Sequence, residues 1–133
     1  MRLEFTKRAD YAIRAVVALA AAGPAERLSV RRIAAERDIP VRFLPQVMAD
    51  LVAATIVEGR TGRTGGYRLA RAADTITILQ VIEAVEGDSR RTTCVLRGGP
   101  CQLNGTCDAH RVFAATHDAM LRELGASTFA SLR

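Results

Sequence analysis

The spacing of apolar residues predicts that this chain is built mainly of α-helices. Between residues 7 and 22, alanine, valine and leucine recur at intervals of three and four, which places them on one face of a helix. Gly23 and Pro24 then end the pattern, because neither residue continues a helix well. A second helix is predicted over Leu28–Arg37, with Ser29 available as its N-cap.

A third helix follows after a short break, which predicts a helix-turn-helix. The Asp38-Ile39-Pro40 stretch interrupts the helical pattern, and a new apolar face then continues to about Ala54. Pro45 falls early in this helix, where its missing N–H costs little. Two helices joined by such a short turn form the helix-turn-helix pattern. The residues predicted to form the apolar face are Phe43, Leu44, Val47, Met48 and Leu51.

The residues after the third helix predict a β-hairpin. Ile56 and Val57 start a strand, GRTGRTGG supplies a flexible turn, and YRLA alternates apolar and polar residues as a return strand. A hairpin directly after a helix-turn-helix is typical of a winged helix. The alternative is an ordinary hairpin with solvated arginines, and the preceding pair of helices favours the wing.

The remainder of the chain predicts two more helices around an irregular segment. A short helix is expected over Thr77–Glu86, with Leu79, Ile82 and Val85 on its buried face, and a long one over Asp108–Leu124, while residues 88–107 show no convincing period. The long helix has more apolar surface than one small domain would bury, so we expect a second copy of the chain to cover it.

The predicted fold is therefore mainly α with a small β-hairpin. It combines a winged helix-turn-helix DNA-binding domain with a long C-terminal dimerisation helix. We expect the DNA-binding domain at residues 1–86, and a cysteine-containing loop together with the dimerisation helix at residues 87–133.

The charge of the chain points to an anionic partner for its first half. The net charge is +5, and residues 1–72 carry 13 Lys and Arg against 7 Asp and Glu. Nucleic acid is the partner that such a basic half favours, with a merely solvated basic surface as the alternative. No apolar run is long enough to span a membrane, and Glu4 and Asp10 argue against a basic leader peptide. We expect a cytoplasmic protein.

All three cysteines fall in one segment, CVLRGGPCQLNGTC, and His110 follows three residues after the last of them. Disulfides rarely persist in the cytosol, so clustered thiols there indicate metal-binding, catalytic or redox chemistry. If Asp108 opens a helix, Cys107 lies at its N-terminal end, where the dipole favours a thiolate. His117, two turns further on, is expected at the surface or at an interface.

Three kinds of thiol site remain open on this spacing. An iron–sulfur cluster is favoured, because the glycines of the loop can bring backbone N–H groups close to sulfur. Tetrahedral zinc is weakened by the absence of a C-x2–4-C pair, and unmetallated redox thiols are the third possibility. A catalytic cysteine is disfavoured, and with no phosphate-binding or dinucleotide motif we do not expect an enzyme.

Several segments in order resemble one family over nearly the whole chain. The opening MRLEFTKRADYAIRAV, the helix IPVRFLPQVMADLV, the wing GRTGRTGGYRLAR and the helix ITILQVIEAVEG are followed by three cysteines and a long helix. This combination is similar to the Rrf-type winged-helix transcriptional regulators, which include IscR-like and NsrR-like members. The resemblance implies a homodimer that binds double-stranded DNA and holds an iron–sulfur cluster on Cys94, Cys101 and Cys107.

The resemblance leaves two candidates for the fourth metal ligand. In IscR-like members a histidine three residues after the last cysteine completes a 2Fe–2S site, and His110 matches it. In NsrR-like members an aspartate of the first helix, donated across the dimer, completes a 4Fe–4S site, and Asp10 matches it. The cysteine loop favours the NsrR-like arrangement slightly, although its first gap is one residue longer than in either group. The alternatives are an Asp10 that is solvated or paired with Arg8 or Arg14, and a His110 that is only a polar residue at a helix start.

The winged helix also provides a set of candidate DNA contacts. Arg42 and Gln46 lie on the outward side of the third helix, where arginine can pair with guanine and glutamine with adenine. Phosphate contacts are expected from the start of the second helix, and minor-groove contacts from the wing. A dimer would favour a palindromic operator, and repression is the expected outcome. The remaining candidate residues are Ser29, Arg31, Arg32, Arg60, Arg63, Gly65, Gly66 and Arg68.

Overall fold

Helices are the main regular structure of the described residues, as the apolar spacing predicts. The computed structural model describes residues 4–89, 93–100 and 107–132. In chain order the elements are α1 (Lys7–Ala22), α2 (Val30–Arg37), α3 (Leu44–Ala53), β1 (Val57–Arg60), β2 (Gly66–Leu69), α4 (Ile78–Glu86), β3 (Thr93–Cys94), β4 (Gly99–Pro100) and α5 (His110–Ala126), with 3₁₀ turns at Val41–Phe43, Ala73–Thr75 and Phe129–Leu132.

Helix α1 lies at the centre of the core and contacts α2, α3, α4 and strand β2. Its buried face is made largely of alanine, which lets neighbouring backbones approach closely. Thr6 caps the helix, since its hydroxyl accepts a hydrogen bond from the Ala9 N–H at 3.2 Å. The same hydroxyl donates to Glu86 Oε1 at 2.6 Å, which ties the start of α1 to the end of α4.

Helices α2 and α3 form the predicted helix-turn-helix. Ser29 caps α2 as predicted, accepting a hydrogen bond from the Arg32 N–H at 3.2 Å. Asp38 ends α2 in the left-handed conformation, with φ of 52°. The prediction that Phe43 belongs to the buried face is wrong, because the 3₁₀ turn before α3 leaves its side chain 41% exposed and stacked on Tyr11, with ring centroids 5.6 Å apart.

Strands β1 and β2 form the predicted hairpin and are joined to the start of α2. The pair is antiparallel, with Val57 opposite Leu69 and Arg60 opposite Gly66. Leu28 and Tyr67 exchange two backbone hydrogen bonds, each 2.8 Å long, so a third segment of backbone pairs with β2. This pairing holds the wing against the helix-turn-helix.

An acidic residue strengthens the base of the wing. Glu58 on β1 accepts a hydrogen bond from the Arg68 Nε of β2 and contacts the Arg27 guanidinium at 3.4 Å. Arg68 also donates to the Pro24 carbonyl at 3.4 Å. The hydrogen bond from Arg68 is the main reason that the pKa of Glu58 lies below its usual value.

The C-terminal part returns to the core formed by the first helices. Thr77 and Gln80 form a capping box at the start of α4. Phe129, in the last turn, is 1% exposed, and its N–H donates to the Ile76 carbonyl at 3.1 Å. The predicted domain division at residue 86 stays a prediction.

The segment predicted to lack regular structure contains a small hairpin, so that expectation needs correction. Strands β3 and β4 pair antiparallel, with Cys94 opposite Gly99. Two-residue strands have no measurable period, which is why the sequence did not indicate them. Helix α5 begins at His110, two residues later than predicted, and none of its described side chains is fully buried. In the described parts of the chain, no helix is both long and apolar enough to cross a membrane.

We predict that Gly66→Ala destabilises the fold more than Gly62→Ala. Both glycines have positive φ, 124° and 100°, so both substitutions introduce backbone strain. At Gly66 an added Cβ would also lie 2.8 Å from the Leu28 carbonyl oxygen, whereas Gly62 has open space. We expect Gly66→Ala to lower the free energy of unfolding by about 1–3 kcal/mol more than its control in urea titrations. Equal losses would contradict a steric role for this glycine.

We predict that the stabilisation supplied by Glu58 depends on pH. Because the pKa of Glu58 is lowered in the folded chain, its contribution is present above the ordinary carboxyl pKa and is lost as pH falls through the lowered value. The difference in unfolding free energy between the wild type and Glu58→Gln should therefore be largest near neutral pH and should shrink below roughly pH 4. Urea titrations at several pH values measure it, and a difference independent of pH would refute the prediction.

Candidate nucleic-acid interface and thiol site

The two predicted base-reading residues are exposed at the start of α3, Arg42 in the 3₁₀ turn before the helix and Gln46 in its first turn. Arg42 precedes α3, and its guanidinium carbon lies 4.8 Å from the centroid of the Phe43 ring, which restricts its side chain. Gln46 is one turn further along, and its Nε2 donates to Asp50 Oδ1 at 3.2 Å. Both side chains are accessible to a nucleic acid that approaches α3.

The predicted phosphate-binding residues of α2 differ in how free they are. Ser29 uses its hydroxyl as the helix cap. Arg31 is exposed and forms no ion pair with the described residues. Arg32 is paired with two carboxylates, those of Glu36 at 2.8 Å and Glu26, and these hydrogen bonds raise the pKa of Arg32. Arg31 is therefore the better placed of the two arginines to meet a phosphate.

The arginines of the wing also differ in whether a carboxylate of the protein binds them. Arg60 and Arg63 are exposed and have no carboxylate partner among the described residues, whereas Arg68 is bound to Glu58. Gly65 and Gly66 shape the turn: a Cβ on Gly65 would lie 2.3 Å from the Arg60 carbonyl oxygen. The glycines thus have a conformational role, and the tip of the wing presents two cationic side chains to solvent.

Two of the three cysteines fall within the described residues. Cys94 ends β3, and its carbonyl accepts hydrogen bonds from the N–H groups of Arg97 and Gly98 at 3.2 and 2.7 Å. Cys107 lies in the turn before α5, where its carbonyl accepts from the His110 N–H at 3.0 Å. Both thiols are free and half-buried. Cys101 lies outside the described residues.

The geometry of the predicted ligands is only partly defined. Within residues 4–89, 93–100 and 107–132, no group of three or more His, Cys, Asp or Glu side chains is close enough to hold a metal. Cys107 does not lie in the first turn of α5, because the helix has Ala109 as its N-cap. His110 is the first residue of that helix and is exposed. The ligand set as a whole stays a prediction.

Asp10 is held by a neighbouring arginine on α1. Arg14, one turn later, donates from Nε to Asp10 Oδ1 at 2.9 Å and from Nη2 to Oδ2 at 2.6 Å. This is the salt-bridged alternative that the sequence left open, and it engages both carboxylate oxygens. The Asp10 side chain nevertheless remains 37% exposed.

Arg14 also connects Asp10 to the helix-turn-helix. Its Nη1 donates to the carbonyls of Arg37 and Asp38, at 3.1 and 3.3 Å, where α2 ends. Its guanidinium carbon lies 6.0 Å from the centroid of the Tyr11 ring. Tyr11 in turn stacks on Phe43, next to Arg42. A continuous series of contacts therefore runs from Asp10 to the turn before α3.

A cavity of about 540 Å³ lies beside Cys94, between α4, α5 and the residues before α1. Leu79, Ile82 and Leu124 contribute apolar walls, and His117 lines the same cavity as Cys94. Leu79 is half-buried here, not fully buried as predicted. His117 was expected at the surface or an interface, and the structure places it in the lining of this cavity.

Two residues that contact α3 or the turn before it were not among the predicted functional residues. Asp50 contacts both Gln46 and Arg8, and Tyr11 contacts both Arg14 and Phe43. The Gln46–Asp50 spacing of four residues on a helix is a signal that could have indicated the first contact. The Tyr11–Phe43 and Arg8–Asp50 contacts join distant parts of the chain and leave no local pattern.

Comparisons with known proteins match this architecture. The model of the Rrf2 family, described as an iron-dependent transcriptional regulator, matches residues 5–133. The chain is 29% identical over 131 residues to the HTH-type transcriptional regulator NsrR of Geobacillus kaustophilus, covering 98% of this chain and 89% of that relative. It is 34% identical over 85 residues to a protein of Mycobacterium tuberculosis named as a candidate HTH-type transcriptional regulator. That match covers 64% of this chain and spans only about half the relative, 53% of its length.

The fold also matches a solved structure. CymR, the global cysteine regulator of B. subtilis, superposes with a TM-score of 0.82 at 22% identity, covering 98% of this chain and 96% of that one. This likeness confirms the predicted winged-helix fold. The relatives are transcriptional regulators, not enzymes. With a family match that spans nearly every residue, the chain belongs to the Rrf2 family of transcriptional regulators.

Proposed function

We propose that this chain is a dimeric, cytoplasmic repressor that binds a palindromic operator and senses nitric oxide, redox stress or iron–sulfur status. The observation that carries the proposal is the series of contacts from Asp10 through Arg14 and Tyr11 to Phe43. It connects a candidate metal ligand with the helix that would read DNA, so a change at the first can alter the second. The name of the NsrR relative supports the proposal further.

The DNA-binding mode follows from which side chains are free. Arg42, in the 3₁₀ turn before α3, and Gln46, in the first turn of α3, would contact base edges in the major groove. Arg60 and Arg63 at the tip of the wing would enter the adjacent minor groove, while Arg31 contacts a phosphate. Arg32 and Arg68 would have to exchange a carboxylate of the protein for a phosphate. Their contribution to the affinity for DNA is therefore smaller than that of the unpaired arginines.

The dimer is supported by the apolar surface of α5. The helix has no fully buried side chain, and Val112 is 61% exposed. Phe113, Met120 and Leu121 are only half-buried, so part of the apolar face of α5 is left in contact with water. A second α5 related by a two-fold axis would cover this face and would set the spacing of the two reading helices.

A cysteine-ligated iron–sulfur cluster is the cofactor we propose for the loop. Cys94 and Cys107 are free, half-buried thiols, and together with Cys101 they offer the thiolate donors that such clusters use. Asp10, donated across the dimer, is the favoured fourth ligand, with a 4Fe–4S cluster, and His110 with a 2Fe–2S cluster is its competitor. When bound, the cluster supplies reactivity toward nitric oxide or oxidants.

The chain's own residues would transmit the state of the site. Ligation of a metal by an Asp10 oxygen would weaken the hydrogen bond that this oxygen accepts from Arg14, so it would free the Arg14 guanidinium in part. Arg14 holds the carbonyls at the end of α2 and lies over Tyr11. A shift of Arg14 therefore acts on the helix-turn-helix from two sides, through the turn after α2 and through the Tyr11–Phe43 stack.

A second candidate function keeps the DNA binding and makes the cysteines a zinc or thiol-redox site. The partial exposure of Cys94 and Cys107 favours it, because accessible thiols can be oxidised. Metal and sulfide analysis after anaerobic purification separates the candidates. Stoichiometric zinc, or thiols without metal, combined with no visible absorption would favour the second.

We predict that Arg60→Ala combined with Arg63→Ala weakens DNA binding and its dependence on salt. Each cationic side chain that neutralises the charge of a phosphate, also from within the minor groove, contributes about 0.9 to the slope of log affinity against log salt, so losing two should reduce the slope by about 2. Binding to a duplex of arbitrary sequence at several salt concentrations measures this slope. The control Arg32→Ala should change the slope less, because Glu26 and Glu36 already hold that side chain. An unchanged slope in the double variant would contradict the proposed role of the wing.

We predict that Asp10→Ala changes the visible absorption spectrum of the anaerobically reconstituted protein more than His110→Ala does. The reason is that a lost carboxylate ligand alters the site directly. Arg14→Ala is the matched control, since it breaks the ion pair without removing a ligand, and it should alter DNA affinity while leaving the spectrum close to that of the wild type. A larger effect of His110→Ala would assign the fourth ligand to that residue, and protein without iron and sulfide would refute the cluster.

A further inference from the structure

Asp50 lies at the edge of the reading face of α3 and contacts two other side chains. Its Oδ1 accepts a hydrogen bond from Gln46 Nε2 at 3.2 Å, and its Oδ2 pairs with Arg8 Nη2 of α1. The Asp50 side chain is only 23% exposed, while Gln46 is exposed. Asp50 therefore joins a candidate base-reading residue to a helix that is not part of the helix-turn-helix.

The contact fixes the orientation of the Gln46 carboxamide. An ionised carboxylate can only accept hydrogen bonds, so it must face the NH2 group of Gln46 and repels its carbonyl oxygen. One N–H of the amide is then used by Asp50, while Oε1 and the second N–H stay free. An oxygen beside an N–H is the pair of groups that recognises N6 and N7 of adenine in the major groove.

Arg8 makes a carboxylate tolerable at this position. A negative charge beside the phosphates of DNA would oppose binding, and the Arg8 guanidinium neutralises it. Arg8 also limits the rotamers of Asp50 from the side of α1, which keeps Oδ1 directed at Gln46. Without this support, the amide would be free to turn and to present its N–H groups where an acceptor is needed.

We propose that Asp50 is a positioning residue that sets the base preference of Gln46, with Arg8 as its support. Asp50 touches no base itself and acts by holding the amide in the orientation that selects adenine. The inference rests on the proposed function, because it requires that α3 reads base edges. It goes beyond that function by assigning specificity to a residue outside the set of candidate DNA contacts.

The test is a selection of duplexes from a random-sequence pool with the full-length wild-type chain and with Asp50→Ala. The wild type is expected to prefer adenine at one position in each half-site, opposite Gln46. Asp50→Ala should lower the discrimination at that position by roughly fivefold or more, since a bidentate contact provides at least that factor. Its preferences at the other positions should not change.

Glu26→Ala is the matched control. It also removes a carboxylate that is paired with an arginine, but Glu26 contacts Arg32 and not a base-reading side chain. It should increase affinity for all sequences alike and leave every base preference in place. If Glu26→Ala loses the same preference as Asp50→Ala, the effect is one of general charge and the proposal is wrong.

Two further variants test the route through Gln46. Gln46→Ala should lose the same preference, and adding Asp50→Ala to it should cause no further loss at that position. A second full loss in the double variant would overturn the proposal. If Asp50→Ala does not fold, Arg8→Ala replaces it: Arg8 is 51% exposed, and its removal should reduce the same preference by roughly twofold or more. No reduction there would likewise overturn the proposal.

The outcomes separate this inference from the function on which it rests. A wild-type chain that selects no sequence refutes base reading by α3, and with it the proposed function. A wild-type chain that selects a sequence which Asp50→Ala also selects, with the same preference at every position, refutes only the role of Asp50.

Discussion

The close packing of α1 through its alanine face is the constraint on which the rest of the structure depends. Small side chains let α2, α3 and α4 approach the same helix, so a chain of this length can surround one central element. The opposite edge of α1 is then left at the surface, and it carries Arg8, Asp10, Tyr11 and Arg14. One rigid helix thus holds, within two turns, a candidate metal ligand and the side chains that contact the helix-turn-helix.

The acidic residues of the basic half divide its arginines into two classes. Glu58 holds Arg27 and Arg68 at the base of the wing, and Glu26 with Glu36 holds Arg32 on α2. The pairs at the surface add little stability individually, because water and salt screen them, whereas the Arg27 side chain is only 12% exposed. Their larger effect is on the pattern of charge that DNA would meet. The exposed arginines Arg31, Arg42, Arg60 and Arg63 have no carboxylate partner among the described residues, so their charges are free to meet DNA.

The fold could be predicted from the sequence because its elements have strong local signals, while much of the site could not. Helix starts at Ser29 and Thr77 follow from caps that satisfy the first N–H groups, and the wing follows from its glycine-rich turn. Phe43 was placed wrongly because periodicity cannot show that a 3₁₀ turn rotates it outward. The Asp10–Arg14 pair could be predicted, because the two residues are four apart on one helix. The pairing of Arg8 with Asp50 spans 42 residues and arises only when α1 packs on α3. The ligand set depends on Cys101, which lies outside the described residues.

The weakness of the contacts between Asp10 and the reading helix suits a switch. A part-exposed ion pair contributes up to about 1 kcal/mol, and a cation–π contact at an exposed site contributes about 0.5–1 kcal/mol. A coupling free energy of about 1–3 kcal/mol already changes an affinity by roughly 5- to 150-fold. Two copies of this series of contacts, one in each subunit of the proposed dimer, would supply a coupling free energy of this size. Stronger contacts would hold the helix-turn-helix in one arrangement whatever the state of the thiol site. The partial exposure of Asp10 and Arg14, which lets water and salt screen their pair despite its two hydrogen bonds, is therefore what allows a metal site to compete for the carboxylate.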